Sequence, residues 1–323
     1  MRRVVALLAA VLLLHGCGED GAEPGASREA TLVLDFTPNS VHSGLYAAAG
    51  RGWFADEGLD LTIQPPGDST DAPKLLAAGK TDFAVMDIND LGTAYERGFE
   101  LSPIGALVQV PLASVIAADG AEVKRPRDLE GAEVGVTGLP SDDAVLDAVV
   151  EADGGDPETI ERTVIGFDSV AALSAGRVDA ATAFWNAEGV ALKELGVPTR
   201  EFRVGDFAAD PFPELVVVTT RELARDEPEL VAAMQAGMER GYELAAEEPD
   251  QALEDFLGST EGLESGTQEE QMSALADADA FSAGAEPGSF EPERATNWVD
   301  FAIKNGIEVP RTPGELAELL GVP

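Results

Sequence analysis

Short apolar runs alternate with helical stretches from Thr31 onward. "TLVLDF" (residues 31–36) has the continuous apolar character of a buried strand, and Ser43 to Glu57 has helical spacing stopped at Gly58. "LDLTIQ" (59–64) is the next strand, Asp68 or Ser69 can cap a helix running to Ala78, and "DFAVM" (82–86) is a third strand. Strand, helix, strand, helix at this spacing predicts an α/β fold with a mostly parallel sheet and right-handed crossovers.

The pattern is then written a second time. "LLAAGKTDFAVM" (75–86) and "ALSAGRVDAATAF" (172–184) share a helix end, Ala-Gly, a basic residue, a spacer, an aspartate and a strand of small residues. A repeat spaced this widely is one α/β half built twice, not a solenoid. After "FPELVVVTT" (212–220) the chain turns helical, with starts near Pro228, Pro249, Thr267, Glu291 and Pro313. With no strands left to build, these helices pack on sheets already made, most simply by returning to the first half. The predicted organisation is therefore two lobes, 31–110 with 213–323 and 111–212. The two crossings, near 110–112 and 206–213, make a hinge.

The start of the chain is read separately. Arg2 and Arg3 precede an eleven-residue apolar run, too short for a permanent membrane span, which needs about 20 residues. A basic start with a short apolar centre is an export signal, expected over 1–16. The run ends in Leu14-His15-Gly16-Cys17, which resembles a bacterial lipobox, so Cys17 is the expected lipidation site and a lipid anchor at the extracytoplasmic face of the cell membrane follows. Cys17 is the only cysteine, which excludes an intramolecular disulfide and a cysteine metal site. Residues 17–30, rich in Gly, Ala and acids, read as a tether.

The formal charge is −39, or −41 once Arg2 and Arg3 leave with the signal. Nucleic acid is excluded as a partner, because binding phosphates needs clustered Lys and Arg. The acids are spread through every segment, which fits a solvated surface. Tests for catalysis fail: the mature chain keeps one histidine, His42, and has no Gly-x-Ser-x-Gly elbow. "AGKT" (78–81) lacks the first glycine of a phosphate loop, where Lys74 stands, and one His cannot build a zinc site. No metal and no cofactor is expected.

A ligand cleft is better supported, since small molecules sit beyond the carboxyl ends of strands in α/β sheets. Four segments fall there: 36–46, 86–90, "TGLPSDD" (137–143) and "FWNAEG" (184–189). They offer Phe36, Asn39, His42, Tyr46, Asp87, Gly138, Ser141, Trp185, Asn186 and Glu188, and Glu214 lies at the second crossing. His42 serves equally as a packed or capping side chain, Ser141 equally as a helix N-cap, and Tyr46 is read first as core. Trp185, Asn186 and Glu188 leave one strand end together, combining a stacking face with directional polar groups.

Asp35 to Tyr46 fits D-[WF]-x-P-N-x-x-H-x-G-x-Y, and Trp185 to Glu188 fits W-N-x-E. On these motifs residues 31–223 resemble solute-binding proteins for thiamine pyrimidine precursors, within the type II periplasmic-binding-protein superfamily that includes alkanesulfonate and nitrate binders. The resemblance implies a monomeric binding protein that hands a small heteroaromatic ligand to an ABC permease. Phe36 and Trp185 would sandwich the ring, Glu188 and Glu214 would take paired hydrogen bonds, and Asn39, His42, Asp87 and Ser141 would fix polar edges. The alternatives are a flavin, sulfonate or nitrate in the same fold, a pyrimidine-forming enzyme, or a ligand-free surface protein. Enzymes of this group carry a pyridoxal-bearing lysine and a histidine where this chain has Met86 and Asp90, and a cysteine cluster near 211–214, where it has none.

Overall fold

The computed structural model describes residues 27–66, 72–307 and 309. The signal, Cys17, the Asp68 or Ser69 cap and the helix expected near Pro313 lie outside them. Ten strands form two five-stranded sheets. The first has the order β2 (Leu59–Gln64), β1 (Arg28–Val33), β3 (Phe83–Asp87), β10 (Leu215–Thr220), β4 (Leu101–Ala106). The second has the order β7 (Glu161–Val164), β6 (Glu133–Val136), β8 (Ala180–Phe184), β5 (Ala113–Ala118), β9 (Thr199–Arg203).

The two orders are the same topology. In each sheet four strands share a direction and one is reversed, β10 in the first and β5 in the second. Each reversed strand is the first that the chain makes after crossing from the other sheet. It enters from the carboxyl ends of its neighbours, where the sheets face each other, and so runs against them.

The repeated aspartates explain why the two halves spell alike. Asp82 accepts the amide of Thr31 at 2.8 Å, and Asp179 accepts that of Glu133 at 3.0 Å. Each carboxylate holds the neighbouring strand in place, a charge-assisted bond at equivalent positions.

Two local expectations are corrected. The tether ends before residue 28: the Arg28 amide donates to Gly58 and β1 pairs with β2 from Arg28 on, because the backbone of β2 offers a ladder partner to all of 28–33. The expected helix 43–57 is two helices, Ser43–Gly50 and Trp53–Asp56, parted by Gly52 at φ 76°. That left-handed conformation is open to glycine and cannot continue a helix.

Helices Pro228–Glu247, Pro249–Ser259, Ser265–Asp277 and Pro292–Lys304 follow β10, and no strand occurs after it among the described residues. The first of them lies directly on Ser43–Gly50: a Cβ on Gly241 would fall 2.1 Å from the carbonyl oxygen of Gly44. This approach buries Tyr242, whose hydroxyl donates to the Val41 carbonyl at 3.0 Å and so anchors the turn below the cleft.

Candidate functional site

A cavity of about 410 Å³ lies between the two sets of carboxyl strand ends. Its walls include Phe36, Asn39, Asp87, Gly138, Ser141, Asn186 and Glu188 from both lobes. The lobes meet around it. Phe36 touches Phe167 with ring centroids 5.6 Å apart, Ser141 hydrogen-bonds Asp90, and at the outer edge Lys193 pairs with Glu270 at 2.9 Å.

The motif after β1 divides into three jobs. Asp35, Phe36 and Asn39 face the cavity. Asn39 Oδ1 accepts the Val41 amide at 3.1 Å while His42 Nδ1 accepts the Asn39 amide at 3.2 Å, a reciprocal cap that fixes the turn. His42 does not reach the cavity; its Nε2 bonds Asp35 Oδ1 at 2.9 Å and aims that carboxylate. Gly44 and Tyr46 serve packing. A Cβ on Gly44 would meet the Tyr242 ring at 2.8 Å, and Tyr46 stacks edgewise on Phe256 at 5.3 Å.

The second motif divides likewise. Residues 185–189 form one π-helical turn, a local widening common at functional sites. It sends Asn186 and Glu188 into the cavity and Trp185 away from it. Trp185 is 2% exposed, its Nε1 donates to the Pro111 carbonyl at 3.0 Å, and the Arg203 guanidinium lies 4.2 Å from its ring. The expected Phe36 and Trp185 sandwich is thus replaced. The aromatic facing Phe36 is Phe167, 46% exposed, on the loop after β7. That loop went unread because β7 is a half-exposed edge strand with no apolar run to announce it.

Glu214 also stands outside the cavity lining, 1% exposed. Its Oε2 accepts the amides of Leu112 and Ala113, so a residue of one crossing pins the other. Its Oε1 is buried without a partner. Further lining residues absent from the sequence-based set are Asp90, Asp142, Phe184, Lys74 and Arg97. Asp90, Asp142 and Phe184 lie in three of the four segments named from the sequence, whereas Lys74 lies in a helix and Arg97 at the end of one, away from strand ends.

Electrostatically the cavity is unusual. Among the described residues five acids line it, Asp35, Asp87, Asp90, Asp142 and Glu188, against two cations, Lys74 and Arg97. Burial pushes Glu188 up to about 7, although its own amide and that of Phe184 favour the charged form. Burial likewise raises Asp90 to about 6 against the hydrogen bond from Ser141, and Glu214 to about 7 against its two amides. Asp87 is raised well above the carboxylate range by burial and then by Glu214 and Asp90; Asp142 is raised by burial. Burial thus raises the proton affinity of Glu188, Asp90, Glu214, Asp87 and Asp142, while the hydrogen bond from Ser141 and the charge of Arg97 pull Asp90 back toward ionisation. Among the described residues no cluster of His, Cys, Asp or Glu is arranged to hold a metal ion.

The profile of the NMT1/THI5-like family matches residues 39–252. The chain belongs to that family. The formylaminopyrimidine-binding protein of Halalkalibacterium halodurans is 32% identical over 79% of this chain and 78% of its own. A family relative from Legionella pneumophila, 4-amino-5-hydroxymethyl-2-methylpyrimidine phosphate synthase, is 26% identical over 69% of this chain and 71% of its own. Binding proteins and synthases thus both occur among the relatives. The alkanesulfonate-binding protein SsuA of Xanthomonas axonopodis pv. citri, solved with MOPS, superposes with a TM-score of 0.68 at 16% identity, over 90% of this chain and 96% of its own. The NMT1/THI5-like chain therefore has the two-lobed periplasmic-binding-protein fold.

Proposed function

We propose that the protein is an extracytoplasmic solute-binding protein that captures an aminopyrimidine of the thiamine-precursor class between its lobes and delivers it to an ABC permease. The carrying observation is the group of carboxyls on the cavity wall, Glu188 among them raised to about 7 by burial, beside an aromatic pair contributed by opposite lobes. An aminopyrimidine edge places an N–H donor next to a ring-nitrogen acceptor. A neutral carboxyl offers the complementary acceptor and donor, so Glu188 can make both bonds at once.

The cavity volume lies near the small end of the range for ligand pockets, which suits a single ring better than a flavin. A sulfonate or nitrate would meet only two cations, Lys74 and Arg97, among the described lining residues, against five carboxyls, and every carboxyl that ionises repels it. The 32% identity to a formylaminopyrimidine-binding protein supports the same class. Binding without catalysis is supported by Met86 and Asp90, which line the cavity where the synthase resemblance calls for lysine and histidine. In the closed form the ligand bridges both lobes, so it stabilises that form over the open one, and the permease reads the closed state.

The test is a thermal-shift and calorimetric series with formylaminopyrimidine, 4-amino-5-hydroxymethyl-2-methylpyrimidine, riboflavin, MOPS and nitrate. A pyrimidine at a hundred times its Kd should add about 2.7 kcal/mol of stability. Phe167→Ala should weaken pyrimidine binding about fivefold, from the loss of a stacking face worth about 1 kcal/mol. Tighter binding of an anion than of any pyrimidine would reject the reading. Absorbance from protein-bound pyridoxal would favour the synthase alternative.

The anchor belongs to the same proposal. Labelled palmitate should enter the full-length protein in a bacterial host and fail to enter Cys17→Ser. Equal labelling of both would remove Cys17 as the acylated residue.

A further inference from the structure

The loop between β7 and the helix Ser169–Ser174 carries two cavity residues that the family motifs do not include, Phe167 and Ser169. Gly166 turns it with φ 59°, a conformation that costs glycine little, and the Ile165 amide ties its base to Val136 at 2.9 Å. Phe167 is the ring that faces Phe36. Two residues on, Ser169 is 3% exposed and its Oγ is buried with no hydrogen-bond partner.

A buried hydroxyl without a partner has given up its hydration with nothing in exchange. Its position at a cavity wall gives that cost a purpose. The chemistry of the hydroxyl also differs from the rest of the wall. Asp87, Asp142 and Glu188 match an amine and ring-nitrogen edge, and Asn186 Oδ1, buried and also unpartnered, is an acceptor that takes one more N–H. A serine hydroxyl both donates and accepts, so it suits a hydroxyl or carbonyl oxygen, which the ring edge of an aminopyrimidine does not supply.

We propose that the Gly166–Ser169 loop is the specificity element of this site, Phe167 covering one face of the bound ring while Ser169 hydrogen-bonds an oxygen on the ring's side arm. This rests on the aminopyrimidine reading above. The placement supports it, because Phe167 and Ser169 line the same cavity two positions apart, so a ring under Phe167 lies beside Ser169. The loop then distinguishes precursors that carry an oxygenated arm from bare methylpyrimidines.

The experiment compares two probes by calorimetry, 4-amino-5-hydroxymethyl-2-methylpyrimidine and 4-amino-2,5-dimethylpyrimidine, which lacks only the hydroxyl. The parent protein should prefer the hydroxymethyl probe at least tenfold. Ser169→Ala should bind the dimethyl probe as the parent does, which also shows that the variant is folded, and should lose the preference. Ser169→Thr should keep it, and Phe167→Leu should weaken both probes by the same factor. An unchanged preference in Ser169→Ala, with both probes still bound, overturns the role of the loop and leaves the aminopyrimidine reading intact. Failure of the parent to bind either probe rejects that reading and this inference with it.

Discussion

Replacing Glu214 with alanine should lower stability by roughly 3 kcal/mol at pH 5, the cost of leaving the buried amides of Leu112 and Ala113 without an acceptor. The loss should shrink to less than half of that at pH 8. The reason is a second, opposing effect of the same side chain. Burial holds Glu214 at about 7, above its unfolded value, so the folded state binds the proton more tightly than the unfolded chain. A group of this kind contributes fully below the unfolded pKa and loses its contribution as pH rises through about 7. Alanine abolishes that late penalty along with the two bonds. Glu214→Gln separates the two effects, since its amide oxygen still accepts from both backbone amides and it does not titrate. It should match the parent at pH 5 and exceed it at pH 8 in urea unfolding. A glutamine variant as damaged as alanine would mean that the bridge between the crossings is not what Glu214 supplies.

Glu188 should control both affinity and the pH response of the ligand-free protein. Alanine there removes the paired contact to the aminopyrimidine edge and should weaken binding thirty- to a hundredfold, as expected for about 2–3 kcal/mol of hydrogen bonding. Glutamine presents an acceptor and a donor on the same edge, so it should cost less than tenfold. The pH behaviour has a definite sign. Because Glu188 is raised to about 7, the folded protein carries a proton that the unfolded chain has released, and stability should fall between about pH 4.5 and 7. The contribution of this one carboxyl is on the order of 3 kcal/mol. Glu188→Gln should flatten that part of the profile and raise the melting temperature at pH 8. Equal pH slopes in parent and glutamine variant would show that Glu188 ionises freely in the folded state.

Both outcomes bear on how the cleft works. Burial raises the proton affinity of Glu188 and Glu214, and at Glu188 the proposed ligand turns that cost into recognition. Asp90 is raised to about 6 by burial, and the hydrogen bond it accepts from Ser141 of the other lobe draws it back toward ionisation.

The two motifs show what could be read from residues alone. The apolar pattern identified β1, β2, β3, β8 and β10, because a buried strand needs a run of apolar residues, and the repeated Ala-Gly-basic-x-Asp segment exposed the duplication. Asn39, Asp87, Ser141, Asn186 and Glu188 line the cavity as polar residues at carboxyl strand ends often do, although Asn39 and Asp87 also cap the turns that carry them. Trp185 was misread for a physical reason: an indole suits a dry clamp against a backbone carbonyl and a guanidinium as well as it suits a ligand. Phe167 and Ser169 left no signal, since their strand is a half-exposed edge.

The sequence by itself determined the α/β character, the doubling of the fold, the acidic charge and the family, all of which depend on local apolar spacing and on short contiguous motifs. Only the tertiary structure decided which side chains share the cavity, that Phe167 opposes Phe36, and that Glu214 joins the crossings. Those pairings link residues about a hundred or more positions apart, and whether a side chain points into a cleft or into the core depends on the turn that carries it, which here a single π-helical turn decided for Trp185 and Glu188.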